Sequence, residues 1–282
     1  MAVSQVNLRY EVGVIMNILK RECKVNLKVF LFWILGLLVL IFAGMTKYTG
    51  LNGAAGGTSI NDLLSQIPKV VLAVFGMAGV DITTLAGYYS VIVFYVLICG
   101  IIYSVHLGAN AVSREVIDKT YEFIFTKPCS KKYVLGMKVL AGWLAIVGFT
   151  VMSMVFSYAS VAALGTEENM NELIILYGIV VFILSSLFYA FTIFFATASN
   201  KAEKGMLYGN LSFLLAFIMG IVHDMLDNGT VIKWISPLKY FEANDLIAGK
   251  LDGVFLIVCL CLTVVLLVFS FERFQQNDLQ AS

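Results

Sequence analysis

Charged residues are scarce in this sequence: 13% of its 282 residues are Asp, Glu, Lys or Arg, against 60% that are hydrophobic. A water-soluble domain of this length cannot cover its core with so little polar surface, so that class is excluded. Proline is nearly absent, with three in the chain, which leaves long stretches free to be helical. The five cysteines form no C-x-x-C pair, which removes the usual zinc and redox spacings. Cys23 and Cys129 fall in polar segments; Cys99, Cys259 and Cys261 fall in apolar ones and read as small buried hydrophobes, the last two pointing to different helix faces. The phosphate-cradling pattern G-x-x-x-x-G-K-[ST] is also missing, and "KAEKGM" at 201–206 lacks its glycine-rich turn. HExxH, GxSxG and kinase signatures do not occur either. The chain therefore carries no ATP site of its own, and no cofactor or catalytic residue is expected in it.

What the sequence does have is long apolar runs. Six reach the roughly 17–25 residues that a helix needs to cross a bilayer, at about 29–46, 86–111, 139–163, 173–198, 205–223 and 253–271. The expected fold is a single all-α integral membrane domain over 1–282, with six transmembrane helices. Residues 60–79 resemble a seventh run, but Asp62, Pro68 and Lys69 interrupt it, which predicts an interfacial or re-entrant helix. Lys and Arg divide unevenly across these spans. Arg9, Lys20, Arg21, Lys24, Lys28, Arg114, Lys119, Lys127, Lys131, Lys132, Lys138, Lys201, Lys204 and Arg273 fall on one side; Lys47, Lys69, Lys233, Lys239 and Lys250 fall on the other. The positive-inside rule then places both termini in the cytoplasm of a cell whose plasma membrane holds the protein. The net charge of +1 says nothing about partners, and no nucleic acid is expected among them.

Two segments outside the runs are amphipathic. Within the first 27 residues, Leu8, Val12, Ile15, Met16, Leu19 and Cys23 recur at helical spacing, with cations elsewhere on the wheel. This predicts an interfacial helix over 1–27 that lies among lipid headgroups; packing on the protein itself is the other option. The second segment is "SREVIDKTYEFIFTKP" at 113–128. As a helix over 113–127 it sets Val116, Ile117, Thr120, Tyr121 and Ile124 on one side and Arg114, Glu115, Asp118, Lys119 and Glu122 on the other, with Phe123 at the border, and Pro128 ends it. Periodicity alone fits an ordinary loop helix or a docking element for a soluble partner, since aromatics beside charges suit an interface.

The stretch "SREVIDKTYEFIFTKPCSKKYVLGMKVL" resembles the connection between the second and third spans of ABC-2 type transporter permeases. Glu115, Thr120, Glu122, Pro128, Ser130, Lys131 and Lys138 stand where that family has its glutamate, threonine, second glutamate and Pro-x-Ser-basic run. "IPKVVLAVFGMAGVDITTLAGYYS" and "ISPLKYFEANDLIAGK" agree with the family in place and order. Lys119 departs from it, standing where glycine is usual. The resemblance implies that 113–127 is a coupling helix, with Glu115, Val116, Lys119, Thr120, Tyr121, Glu122, Phe123 and Pro128 meeting a separate ATP-binding subunit. It further implies two ATPase copies that bind ATP and magnesium, a second permease chain, and export as the direction of transport.

Intramembrane polar groups mark possible paths. His106, Asn110 and Ser104 lie in the second run, Ser185, Ser186, Tyr189 and Thr192 in the fourth, and Asn210 and Ser212 in the fifth. His106 and Asn110 fit a path or a helix–helix hydrogen bond. Glu115 fits a gate paired with Arg114 or Lys204, or a plain interfacial ion pair. "HDMLDNG" at 223–229 reads as a solvated loop before it reads as a metal site. The 21 Phe, 13 Tyr and 11 Met suit hydrophobic or amphipathic cargo such as peptide, drug or lipid. No run carries a central acidic residue and the halves show no inverted repeat, so an ATP-independent carrier or channel is the second expectation. A membrane-embedded enzyme is the third.

Overall fold

The computed structural model describes residues 2–54, 64, 66–117, 131–166, 168–199, 204–226 and 230–276. In chain order the helices are α1 (Ala2–Ala54), α2 (Lys69–Val74), α3 (Leu85–Ile117), α4 (Lys131–Ala163), α5 (Asn171–Ala198), α6 (Lys204–Met225), α7 (Thr230–Ile235), a 3-10 turn at Pro237–Lys239, α8 (Ala243–Ile247) and α9 (Gly253–Gln276). Six of them, α1, α3, α4, α5, α6 and α9, contain stretches long and apolar enough to cross a membrane. These coincide with the six expected runs, the first and third beginning well before the expected 29 and 139, at Asn17 and Lys132, and the others within a few residues of the expected ends. The protein is a multi-pass, all-α membrane protein.

Helix α5 is the hub. Its sequence is apolar on every side, and such a helix has no face to offer water or lipid preferentially. Accordingly 78% of its spanning window is buried, against 17% for α1, 22% for α6 and 28% for α9. Helices α3, α4, α6 and α9 all pack on it, and α1 reaches the bundle through α4 and α3. Close approach is secured by small residues, as in other membrane bundles. A Cβ at Gly209 would sit 2.4 Å from Thr192 Oγ1, and one at Gly142 would sit 2.1 Å from the Tyr189 hydroxyl. The lipid-side faces are the counterpart: Leu140, Leu144, Val147, Val151 and Val155 run exposed along α4 at helical spacing.

Contacts at both ends fix the direction of the helices. Tyr48 donates to Thr83 O (3.3 Å) and Tyr88 to Gly44 O (3.0 Å) at one end of the α1–α3 pair. At the other end Arg114 meets Glu22 and Asn26. Helices α1 and α3 are thus antiparallel, and the bundle has an Arg114 end and a Lys239 end.

Two expectations are corrected by the backbone. Residues 1–27 do not form a separate element: α1 is one helix of 53 residues that passes without a break into the first span. No proline or glycine stands between Gly13 and Gly36 to interrupt it, and its Glu22 and Asn26 are held by α3. Likewise 113–117 does not begin a new helix; it is the last turn of α3, with Ser113 Oγ donating to Ala109 O at 2.8 Å. Residues 118–130 lie outside the described residues. Of the interrupted run at 60–79, the described part is the six-residue α2 followed by turns at Gly76 and Gly79, both with positive φ (70° and 71°), and it packs on α6 instead of spanning.

Candidate functional site

The Arg114 end is built around one cation. Arg114 Nη1 donates to Glu22 Oε2 at 3.1 Å and Nη2 to Asn26 Oδ1 at 2.8 Å, so one guanidinium holds two positions one turn apart on α1. The pair is secluded: the side chains of Arg114 and Glu22 are 15% and 4% exposed. Nearby, the buried Lys138 of α4 donates from Nζ to Ala111 O of α3 at 3.2 Å. The Tyr189 hydroxyl of α5 donates to the carbonyls of Lys138 (3.4 Å) and Val139 (3.2 Å). Four spans therefore converge through polar contacts at the foot of the 113–127 segment. A buried ion pair adds little net stability, but removing one partner leaves an uncompensated charge, so the pairing enforces registry.

Of the residues expected at a gate, His106 and Asn110 are brought together, with Asn110 Nδ2 2.8 Å from His106 Nε2. They are one turn apart on α3, so the bond is within a helix and not between helices. Arg114 is paired with Glu22. Glu115 and Val116 belong to the end of α3 but their side chains lie outside the described residues, as do Lys119, Thr120, Tyr121, Glu122, Phe123 and Pro128 entirely. Most span hydroxyls bond their own helix: Ser104 to Gly100 O, Thr192 to Phe188 O, Ser212 to Gly209 O. Ser185 and Ser186 have no partner for their hydroxyls.

The Lys239 end is a folded cap. Helix α7 and the 3-10 turn close over α6, with Trp234 and Tyr240 against Phe255 at the start of α9, and α8 packs on α3 and α5. Ser236, fully buried, donates to Ala216 O at 2.8 Å. Tyr240 stacks on Phe255 (4.5 Å between centroids), Trp234 packs on the same ring, and Tyr240 donates to Trp234 O at 2.7 Å. Burial pushes the Tyr240 phenol above its usual pKa. Lys239 donates to Asp224, whose other oxygen lies 3.3 Å from His223 Nδ1; Lys233 donates to Glu242 at 2.7 Å. Asp224 is only 12% exposed, which corrects the expectation of a solvated loop at 223–226; Asp227, Asn228 and Gly229 lie outside the described residues. Among the described residues no three His, Cys, Asp or Glu side chains could hold a metal ion.

Under the cap lies a cavity of about 120 Å³, between the 76–80 turn, α3, α5 and the 238–244 segment. Composition did not point to it, because its lining comes from five separated stretches, Asp224 of α6 included. The resemblance of two of those stretches to a family was the only available signal.

A six-span bundle with a charged junction at one end and a capped cavity at the other is consistent with a membrane permease. A family model described as "ABC-2 family transporter protein" matches residues 16–279. The chain belongs to the ABC-2 family. No curated protein matches it.

Proposed function

We propose that this chain is the membrane-spanning subunit of an ATP-driven exporter. It has no ATP site of its own and draws its energy from separate ATP-binding subunits, two per complex, which supply ATP and magnesium chemistry. ABC-2 proteins typically work with such subunits, and the match over 16–279, which includes the whole 113–127 segment, is the observation that carries this reading. Two permease chains form the path between them, and the cargo is hydrophobic or amphipathic. The Arg114 end faces the cytoplasm together with both termini, as the Lys and Arg distribution favours. The ATPase docks on the helix beginning in the last turn of α3, through Glu115, Val116, Lys119, Thr120, Tyr121, Glu122 and Phe123, with Pro128 ending it.

The junction above that helix supports the reading physically. A push on 113–127 acts at the end of α3, where Arg114 ties α3 to α1 and Lys138 ties α4 to α3. Displacement there is shared among the spans and not absorbed by one helix end. The test is affinity purification of gently solubilised protein with mass spectrometry and an ATPase assay. A soluble ATPase at about one copy per chain is expected. Replacing Tyr121, Glu122 and Phe123 together by alanine is expected to remove it while six spans remain inserted. A partnerless chain under conditions that preserve complexes overturns the proposal.

A further inference from the structure

The cap has an apolar side and a polar side, and α7 stands inside out on the first. Its sequence, TVIKWI, carries one charge, Lys233. A short helix lying in water turns its lysine outward and its apolar residues inward. Here Val231, Trp234 and Ile235 are exposed, Val231 to 75%, while the Lys233 side chain is only 19% exposed. Its Nζ donates to Glu242 at 2.7 Å and lies 5.5 Å from the centre of the Phe255 ring, so the charge is neutralised on the protein side. Helix α2, of the same length and also packed on α6, leaves its Lys69 exposed. On the other side of the cap, Asn244 and Asp245 of α8 and Lys250 and Asp252 after it are exposed.

The depth of α7 follows from what its end touches. Ser236, the next residue, donates to Ala216 O of α6 at 2.8 Å, and its hydroxyl lies 3.4 Å from where a Cβ on Gly220 would stand. Ala216 is nine residues before Met225, the end of α6, which is about 14 Å along the helix. The chain leaves α6 and comes back alongside it. The 22 residues of α6 measure about 33 Å, little more than the roughly 30 Å of hydrocarbon that a span crosses. A point about 14 Å from its end is inside that layer. An unpaired charge is costly there, and irregular backbone is tolerated only within protein. Both conditions are met: Lys233 is paired, and Ser236, Pro237, Tyr240 and Phe241 are buried where α7 has ended. Trp234 packs on Phe255 of α9, whose near neighbours Val254 and Ile257 are exposed, so the α7 face continues the exposed apolar surface of a span.

We propose that α7 is held within the membrane at the Lys239 end, with Val231, Trp234 and Ile235 seated against the acyl chains of that leaflet and α8 in the water beyond it. Lipid is the occupant this face fits. A protein interface carries a polar rim that sets its orientation, whereas the exposed side chains described on α7 are all apolar and its one charge is turned away. The inference does not rest on the ATP-driven reading, because it concerns where one segment of the chain sits.

The test uses the full chain in phosphatidylcholine nanodiscs, with Trp33→Phe and Trp143→Phe leaving Trp234 as its one tryptophan. Its emission is read with lipid brominated midway along an acyl chain and, separately, with iodide in the water. Strong quenching by the brominated lipid is expected, with little by iodide. If the double variant fails to fold, the same quantity is read by difference, as the lipid-quenched emission that Trp234→Phe removes from the natural chain. A second measurement reverses an order that burial in the protein sets. Ile235 on α7 is more exposed than Ile247 on α8, 61% against 38%, so with both in water Ile247→Asp is the more disruptive change. With α7 in the membrane, Ile235→Asp is expected to lower the thermal unfolding temperature by at least about 5 °C, and by more than Ile247→Asp does. Quenching by iodide and not by lipid puts α7 in water and overturns the inference. Quenching by neither means that protein, a second copy of this chain or another partner, covers the face, and overturns it too, as does a larger loss for Ile247→Asp.

Discussion

The two ends of the bundle use the same chemistry at different reach. At the Arg114 end, one guanidinium joins residues 92 and 88 positions away in sequence, on a different span, with Glu22 almost wholly secluded. At the Lys239 end, the pairs Lys233–Glu242 and Lys239–Asp224 join residues 9 and 15 positions apart, and Glu242 is 40% exposed. The first kind of contact holds one span to another. The second holds a cap in shape over spans that are already packed. Burial sets the energetic consequence: an ion pair open to water is worth little, whereas a buried one is indispensable once its partner exists.

That contrast breaks most easily at Arg114. Arg114→Ala strands Glu22 in the bundle and is expected to lower stability by about 3–5 kcal/mol, seen as a large drop in the thermal unfolding temperature of the purified protein. Replacing both partners by leucine is expected to restore most of the loss, since it removes the stranded charge. A cost for Lys233→Ala as large as that for Arg114→Ala would erase the distinction between the ends. Between the ends, Gly209→Val drives a side chain into Thr192 and is expected to cost about 1–3 kcal/mol through overpacking of α6 on α5. At the cap, Lys239→Ala leaves Asp224 with only His223, and because both groups retain some solvent the expected cost is about 1 kcal/mol.

The smallest effect belongs to Asp81, on the turn before α3. The hydroxyl and amide of Thr83 bond its carboxylate at 2.6 and 3.0 Å and hold its pKa below the usual value. A carboxylate so lowered contributes stability above its ordinary pKa and loses it as pH falls through the lowered value. Thr83→Val is expected to raise the Asp81 pKa toward the ordinary one, measured by carbon NMR of the labelled carboxyl, and so to move that loss to higher pH.

The spans were legible because a bilayer imposes a length and a composition on each one separately, and both can be counted along the chain. The ends were not, because their partners are distant in sequence. Glu22 sat among cations in a segment that looked interfacial, and nothing local tied it to Arg114. Asp224 looked like part of a polar loop because Lys239 approaches it only after the cap folds. His106 and Asn110 were expected to line a path or to bond another helix, whereas the contact they make is with each other, one turn apart within α3. Tyr177 escaped notice altogether: a tyrosine at the start of a span reads as an interfacial anchor, and only the packing of α3 against α5 turns it inward to face a cavity.

The 53 residues of α1 also have a mechanical side. At 1.5 Å per residue the helix is about 80 Å long, far more than the roughly 30 Å of hydrocarbon it has to cross. From Ala2 to the Glu22–Arg114 contact it measures about 30 Å. The long first helix is thus tied to α3 by a single arginine about 30 Å along its axis from Ala2.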